Sequence, residues 1–287
     1  MKPFPTFRQI LKGLLPYGLV RWVQMGKMKK QPPAPCPFEK HRNRYLGKRC
    51  FILATGPSIN TQQLECLGGE ICIGASFFFL HNQIDKIRPS YHVLAPNHPP
   101  FGFELVEKYW EGLTRNYTWP CDIVWGTHGY RYGATAFFQQ HPEKMRENIH
   151  LLNYNPCPTT SEEVIADWTH WDLCLKPFRP NTVIYMGIQL GWFLGCKEIY
   201  LLGCDHDYLN EVRRVNNHFY QETKGNEWDG KHLAELDTEK WFQKYYGRWR
   251  DFRLMKTFLN KNGVDIYNAT PGGMLDVFPR VKLEDLF

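Results

Sequence analysis

Residues 182–205 read TVIYMGIQLGWFLGCKEIYLLGCD, and this stretch decides the fold. Thr182 to Leu194 reads as a helix, in which Gly187, Gly191 and Gly195 recur every four residues. That spacing lines small residues along one side, where the helix can lie close against a neighbour. Gly195 is placed to end it, since glycine accepts the left-handed conformation of a helix C-terminus. Lys197-Glu198-Ile199-Tyr200-Leu201-Leu202-Gly203 follows as a short apolar run, as expected of a central strand covered on both faces. A helix feeding such a strand is half of a βαβ unit. The strand ends in Gly203-Cys204-Asp205-His206-Asp207, at the carboxyl edge where open α/β sheets bind ligands.

The same alternation runs outward in both directions. Upstream, Cys50-Phe51-Ile52-Leu53-Ala54 reads as a buried first strand that stops at the turn Thr55-Gly56-Pro57-Ser58. Residues 59–67 look helical. Residues 70–74, 91–95 and 122–125 read as further strands. Downstream, a helix over 241–262 stops at Asn262-Gly263 and leads into the strand Val264-Asp265-Ile266-Tyr267-Asn268. The expected fold is α/β: a Rossmann-like, mostly parallel sheet with helices on both faces, plus a lid region. The corners at 54–58 and 203–207 are expected to open onto one crevice.

The chain's 287 residues are organised as two parts. Residues 1–38 form a basic amphipathic helix (6–28) and a proline-rich linker (31–38), and residues 39–287 form the Rossmann-like catalytic domain with a lid at about 206–240. The net charge of +6 is concentrated: residues 1–30 hold seven bases and no acid, leaving 28 bases against 29 acids elsewhere. A body so balanced argues against nucleic acid as a partner. Basic side chains beside Trp22, Leu19 and Val23 suit either an anionic membrane surface or the surface of a partner. No run of about 18 apolar residues is present to span a membrane, and no secretory signal is read at the start. Nine cysteines without Cys-x-x-Cys spacing predict buried thiols in a reducing compartment, not disulfides or zinc. The expected location is cytoplasmic, peripheral on the inner face of the membrane.

Four segments carry residues suited to chemistry. In Thr55-Gly56-Pro57-Ser58, Gly56 lets backbone approach a ligand, and Ser58 either caps the next helix or bonds a phosphate oxygen. The loop lacks the Lys-Ser/Thr ending of a Walker loop and the Gly-x-Gly-x-x-Gly fingerprint. Asp205 and Asp207 sit two apart, as acids holding magnesium or manganese on a diphosphate would; Asp205 alone could instead only orient loop amides. Arg179-Pro180-Asn181-Thr182 precedes the glycine-spaced helix, with Arg179 suited to an anion and Asn181 or Thr182 to the cap. Asn216-Asn217-His218-Phe219-Tyr220 lies in a polar stretch of roughly 30 residues, as a lid does. His218 is a candidate general base and Tyr220 a candidate phosphate partner. Ser76, Asn97 and His98 fall at strand carboxyl ends, where a base or sugar could bind.

The Gly-Pro-Ser turn after the first strand resembles that of bacterial family 42 sialyltransferases, and is similar to the MptE-like 6-hydroxymethylpterin diphosphokinase superfamily. Arg179 to Asp205 looks like the second sialyltransferase motif, and Val264 to Gly273 resembles their last strand and polar turn. The resemblance implies that Thr55, Gly56 and Ser58 touch the nucleotide and that Asn181, Thr182 and Asn268 hold its ribose, phosphate or base; with Pro57, Ser76, Asn97, Arg179 and Gly203, placed by their positions, these make up the expected donor site. It also implies His218 as base, a lid tyrosine such as Tyr220 on the departing phosphate, and a homo-oligomer; Asp205 joins the expected catalytic residues by its place at the strand's carboxyl end. Thr55 stands where that family has asparagine, and Asp207 where it has a phosphate-binding tyrosine.

The expected activity is sugar transfer from a nucleotide-sugar donor to a cell-surface glycan or lipid-linked acceptor. No cofactor is required in that reading, although the Asp205–Asp207 pair leaves room for magnesium or manganese. The alternatives are an MptE-like diphosphokinase moving diphosphate from ATP to a pterin-type alcohol, and a non-catalytic nucleotide-binding scaffold.

Overall fold

The computed structural model describes residues 36–127, 130–207, 218–220 and 237–287. The chain divides into two units, Met1–Glu39 and Lys40–Phe287. The expected basic helix over 6–28 lies outside the described residues. Of the expected lid, residues 208–217 and 221–236 also lie outside them.

The second unit is built on one sheet of seven strands: β1 (Arg49–Leu53), β2 (Ile71–Ala75), β3 (Tyr91–Leu94), β4 (Cys121–Gly126), β5 (Ile149–Tyr154), β6 (Glu198–Leu202) and β7 (Asp265–Asn268). Their order is β5-β4-β3-β2-β1-β6-β7, and every pair is parallel. Parallel neighbours need crossover connections, here supplied by α1 (Ile84–Ile87), α2 (Phe103–Asn116), α3 (Ala134–Gln140), α4 (Glu162–Ala166), α5 (Val183–Phe193) and α6 (Thr238–Lys261), with short 3-10 turns between. The chain steps one way from β1 to β5 and the other way from β6 to β7. The order therefore reverses between β1 and β6, which is a topological switch point.

Alternation along each strand assigns its two faces. Phe51 and Leu53 point into an apolar cluster with Val106, Trp110 and Leu113 of α2. Cys50 and Ile52 point the other way, against α5. There Gly187 and Gly191 matter: a Cβ on either would stand 3.0 Å from Ile52 Cγ2 or 3.1 Å from Cys50 Sγ. Small residues at that spacing let α5 lie directly on the sheet, and Gly195 turns the chain out of it at φ +82°. α5 is consequently buried on nearly every side, which is why its apolar residues run around the whole helix.

Three expectations are corrected. β5 is an addition to the expected strands: Ile149-His150-Leu151-Leu152-Asn153-Tyr154 is an edge strand with half its residues at least partly exposed, so it lacks the continuous apolar run of its neighbours. Residues 59–67 are not one helix. They form two 3-10 turns, Pro57–Thr61 and Leu64–Leu67. The backbone is extended at Gln62, whose side chain is drawn inward to donate to the Ala269 carbonyl at 2.9 Å. Finally, Cys174 is disulfide-bonded, against the expectation of thiols throughout; Cys50, Cys66, Cys72, Cys121, Cys157, Cys196 and Cys204 are free. No helix among the described residues is long and apolar enough to cross a membrane.

Candidate functional site

The loops that leave β1 and β6 meet at the switch point. Gly56 N–H donates to the Gly203 carbonyl at 2.9 Å. Gly203 sits at φ +64°, in the region open to glycine. The contact is close enough that a Cβ on Gly56 would lie 1.8 Å from Asp205 Oδ2 and 2.4 Å from the Gly203 oxygen. Asp205 accepts two bonds from Ser58, from its hydroxyl at 2.8 Å and its backbone N–H at 3.3 Å. Burial pushes the Asp205 carboxyl up from its ordinary range, and the Ser58 donors pull against that.

Both corners open onto one cleft of about 940 Å³. It also takes in Ser76, Asn97, Arg179, Asn181, Thr182, Asp207, His218 and Tyr220. Two of the expected residues are placed elsewhere. Ser58 is spent on Asp205 and does not line the cleft. Asn268 is fully buried behind it, donating to the Leu275 carbonyl and accepting from Thr270 N–H. The segment after β1, expected to begin a helix with open amides, is a five-residue 3-10 turn whose Ser58 N–H is bonded to Asp205. The start of α5 keeps this property: Thr182 makes no side-chain cap, and Val183 and Ile184 line the cleft. Asn181 instead donates to Asp251 Oδ2 of α6 at 2.7 Å.

The His218–Tyr220 segment is tied to the β1 corner by main-chain bonding. Phe219 N–H donates to the Thr55 carbonyl at 2.9 Å. The His218 and Tyr220 rings stack at 5.0 Å with 15° between planes, and Tyr220 meets Phe77 at 5.2 Å. Lys244 and Arg248, one helical turn apart on α6, line the same cleft. Burial and the neighbouring Arg248 push the Lys244 ammonium below its usual range.

Three features of the cleft escape a reading of the sequence. Lys244 and Arg248 look like part of a solvated helix face, and only the tertiary fold sets them at the cleft, with Arg248 buried and Lys244 still exposed. Ser76 adopts φ +51°, an unusual conformation for a serine. It is held there from below: His92 Nε2 lies 2.7 Å from the Ser76 carbonyl, so that nitrogen carries the proton. His92 Nδ1 then accepts from the Tyr117 hydroxyl at 2.8 Å. His206, at φ +53° beside Phe252, is the third.

His41, His81, His92 and His206 are all buried and held below the ordinary imidazole range by that burial. His92 is pushed down to about 4 and His206 to about 3, with Arg248 adding to the effect at His206. In the unfolded chain these rings protonate near their ordinary value of about 6.5. Below that pH the unfolded state binds protons the folded state refuses, so stability falls as pH drops from 6.5 toward 4. Chemical denaturation at pH 7.0 and pH 4.5 is expected to differ by on the order of 5 kcal/mol, about half of it from His92 and half from His206. His92→Gln, which keeps the donor to Ser76, should flatten part of that slope; an unchanged slope would contradict the assignment.

No family model and no curated protein matches the chain. Solved structures do resemble it. The MAf glycosyltransferase of Magnetospirillum magneticum AMB-1 aligns over 84% of this chain with 12% identity and a TM-score of 0.47. This chain spans only 34% of that protein's length. The sialyltransferase CstII of Campylobacter jejuni, solved with cytidine 5′-monophosphate, aligns over 82% of this chain and 85% of its own, at 14% identity and TM-score 0.46. The monofunctional α-2,3-sialyltransferase Cst-I of Campylobacter jejuni aligns over 88% and 84%, at 14% identity and TM-score 0.46. At these identities the likeness concerns the fold alone.

Proposed function

We propose that the protein is a glycosyltransferase that moves a sugar from a nucleotide-sugar donor to a hydroxyl of a glycan or lipid-linked acceptor. The observation that carries this reading is the composition of one cleft at the β1/β6 switch point: a tight glycine corner, cations for a phosphate, and a ring nitrogen for a proton. The donor's phosphates would lie against the open amides that begin α5, with Arg179, Lys244 and Arg248 around them. These groups stabilise the charge that develops on the departing phosphate.

His218 is the base in this reading. Among the described residues, three histidines line the cleft: His98, His206 and His218. His206, pushed down to about 3, is a poor proton acceptor at neutral pH. His98 stands on an exposed loop and donates Nδ1–H to the Pro99 carbonyl at 2.7 Å, which leaves Nε2 as a second basic ring nitrogen at the cleft. His218 stands beside Tyr220, whose hydroxyl would hold a phosphate oxygen.

No step is routed through a metal. Asp205 spends an oxygen on each Ser58 donor, and only Asp207 Oδ1 is a buried carboxylate acceptor without a partner among the described residues. No trio of His, Cys, Asp or Glu side chains among the described residues is arranged to hold an ion. The test is donor consumption with CMP-, UDP- and GDP-sugars, with and without EDTA. One donor class is expected to turn over, with the same rate in EDTA. Turnover of none, or release of AMP from ATP with a pterin alcohol in magnesium, would replace this reading.

A further inference from the structure

A buried polar pair that the proposed chemistry does not use lies beneath the cleft. His92 of β3 and Tyr117, the residue that ends α2, are 0% and 1% exposed, and the His92 ring packs against Phe79. Taking two such side chains out of water is unfavourable unless they are bonded. β2 also gives way to them. Gly74 is paired in register with His92, and a Cβ there would stand 2.6 Å from His92 Nδ1 and 3.1 Å from the Tyr117 hydroxyl. Glycine inside a strand weakens it. Both costs maintain one chain of bonds: the Tyr117 hydroxyl donates to His92 Nδ1 at 2.8 Å, and His92 Nε2–H donates to the Ser76 carbonyl at 2.7 Å.

Ser76 is the residue at which the chain leaves β2 for the cleft wall. Its φ of +51° is unfavourable for a residue with a Cβ. That penalty and the net gain from one buried hydrogen bond are of similar size, so the bond from His92 decides whether Ser76 keeps the conformation. The next side chain is Phe77. Its ring stacks on Tyr109 at 4.3 Å and meets Tyr220 at 5.2 Å, and Tyr220 stacks on His218. We propose that His92 is a positioning residue: through the Ser76 carbonyl it sets Phe77 as the surface on which the Tyr220–His218 pair rests. His92 itself lies outside the cleft lining. Its effect on rate rests on His218 acting as the base; its effect on the placement of the His218 ring does not.

Two readouts on the full chain test this. One is steady-state kinetics with the donor that turns over. The other is the His218 Hε1 resonance in histidine-labelled protein, which the stacked Tyr220 ring displaces and His218→Ala assigns. His92→Gln keeps an N–H for the Ser76 carbonyl and should match wild type in both. His92→Leu with Tyr117→Phe removes both polar ends, so neither side chain is left buried and unpaired. This double variant should lower kcat about tenfold or more with donor KM within about threefold, and should shift the His218 resonance. His92→Asn, too short to reach Ser76, serves in its place if the double variant folds poorly. Ser76→Gly removes the Cβ penalty, so the turn no longer needs the bond. In that background the double change should lower kcat by less than about twofold further and leave the resonance where Ser76→Gly alone puts it, whereas a purely structural role would add its full loss. The proposal is overturned if His92→Gln and the double variant behave alike, if the double variant leaves the His218 resonance in place, or if the losses add in full. Should no donor turn over, the sugar-transfer reading falls, and the resonance alone still decides the role of His92.

Discussion

Gly56→Ala is expected to cost about 4 kcal/mol or more and to abolish activity, although it adds a single methyl group. Gly56 has φ −63° and ψ 149°, a conformation any residue adopts, so backbone strain is not the reason. The reason is space. The added carbon would stand 1.8 Å from Asp205 Oδ2, 2.7 Å from Asp205 Cγ and 2.4 Å from the Gly203 oxygen. The carboxylate could rotate away only by giving up both Ser58 bonds. The Gly203 oxygen belongs to the backbone and cannot move without its strand. Relief therefore means parting the β1 and β6 corners and losing the Gly56–Gly203 bond, with a buried carboxylate left short of partners. Losses of that size are exceptional for single substitutions and require such a named cause. Gly247→Ala is the control. Nothing lies within 4 Å of its Cβ position, and it sits inside α6, where alanine is favoured by about 1 kcal/mol. Urea denaturation should show Gly247→Ala at least as stable as wild type and Gly56→Ala far below it. Equal stability of the two would mean that the corners do not meet as described.

The same residue shows what a sequence can and cannot disclose. Gly56 and Gly203 each follow a short apolar run, so local pattern alone places them at strand ends. The run's length also identifies β1 and β6 as buried. That they are adjacent strands can be argued only from the rule that ligands gather at a switch point. The identity of Asp205 as the partner of Ser58, 147 residues away, is a tertiary fact with no local signal. Asn268 shows the opposite outcome. Its place at the end of β7 and its amide suggest a ligand, yet Leu275 and Thr270 use both ends of that amide. Strand-end position is shared by binding residues and by residues that close the sheet, and only the three-dimensional neighbours separate them. β5 is hard to read because an edge strand carries less apolar sequence than a central one, and Lys244 and Arg248 because helical spacing does not say which side faces a cleft.

His218→Ala is expected to lower kcat by roughly 10²- to 10⁴-fold, the range supplied by a positioned general base, while leaving the donor KM within a few-fold. The split follows from how the residue is held. Its segment is fixed to the β1 corner by Phe219 N–H bonded to the Thr55 carbonyl, with Asn60 donating to the Phe219 carbonyl at 3.4 Å. Neither bond involves the imidazole, so the alanine variant should keep the path of the chain. The ring's stacking on Tyr220 is lost, worth about 1 kcal/mol for an aromatic pair, too little to unfold the domain. The cations and the α5 amides proposed to grip the donor are likewise untouched, which is why binding should persist while proton transfer fails. His98→Ala separates this from a general loss of polarity in the cleft. That ring lines the same cleft from an exposed loop, and with His218 as the base its removal is expected to change kcat by less than about threefold; a larger loss would assign the proton to His98 Nε2 instead. Steady-state kinetics with the donor that turns over decide the matter. If His218→Ala retains wild-type kcat, the proton must leave the acceptor by another route, and the stacked His218–Tyr220 pair becomes a wall of the cleft with no part in the chemistry.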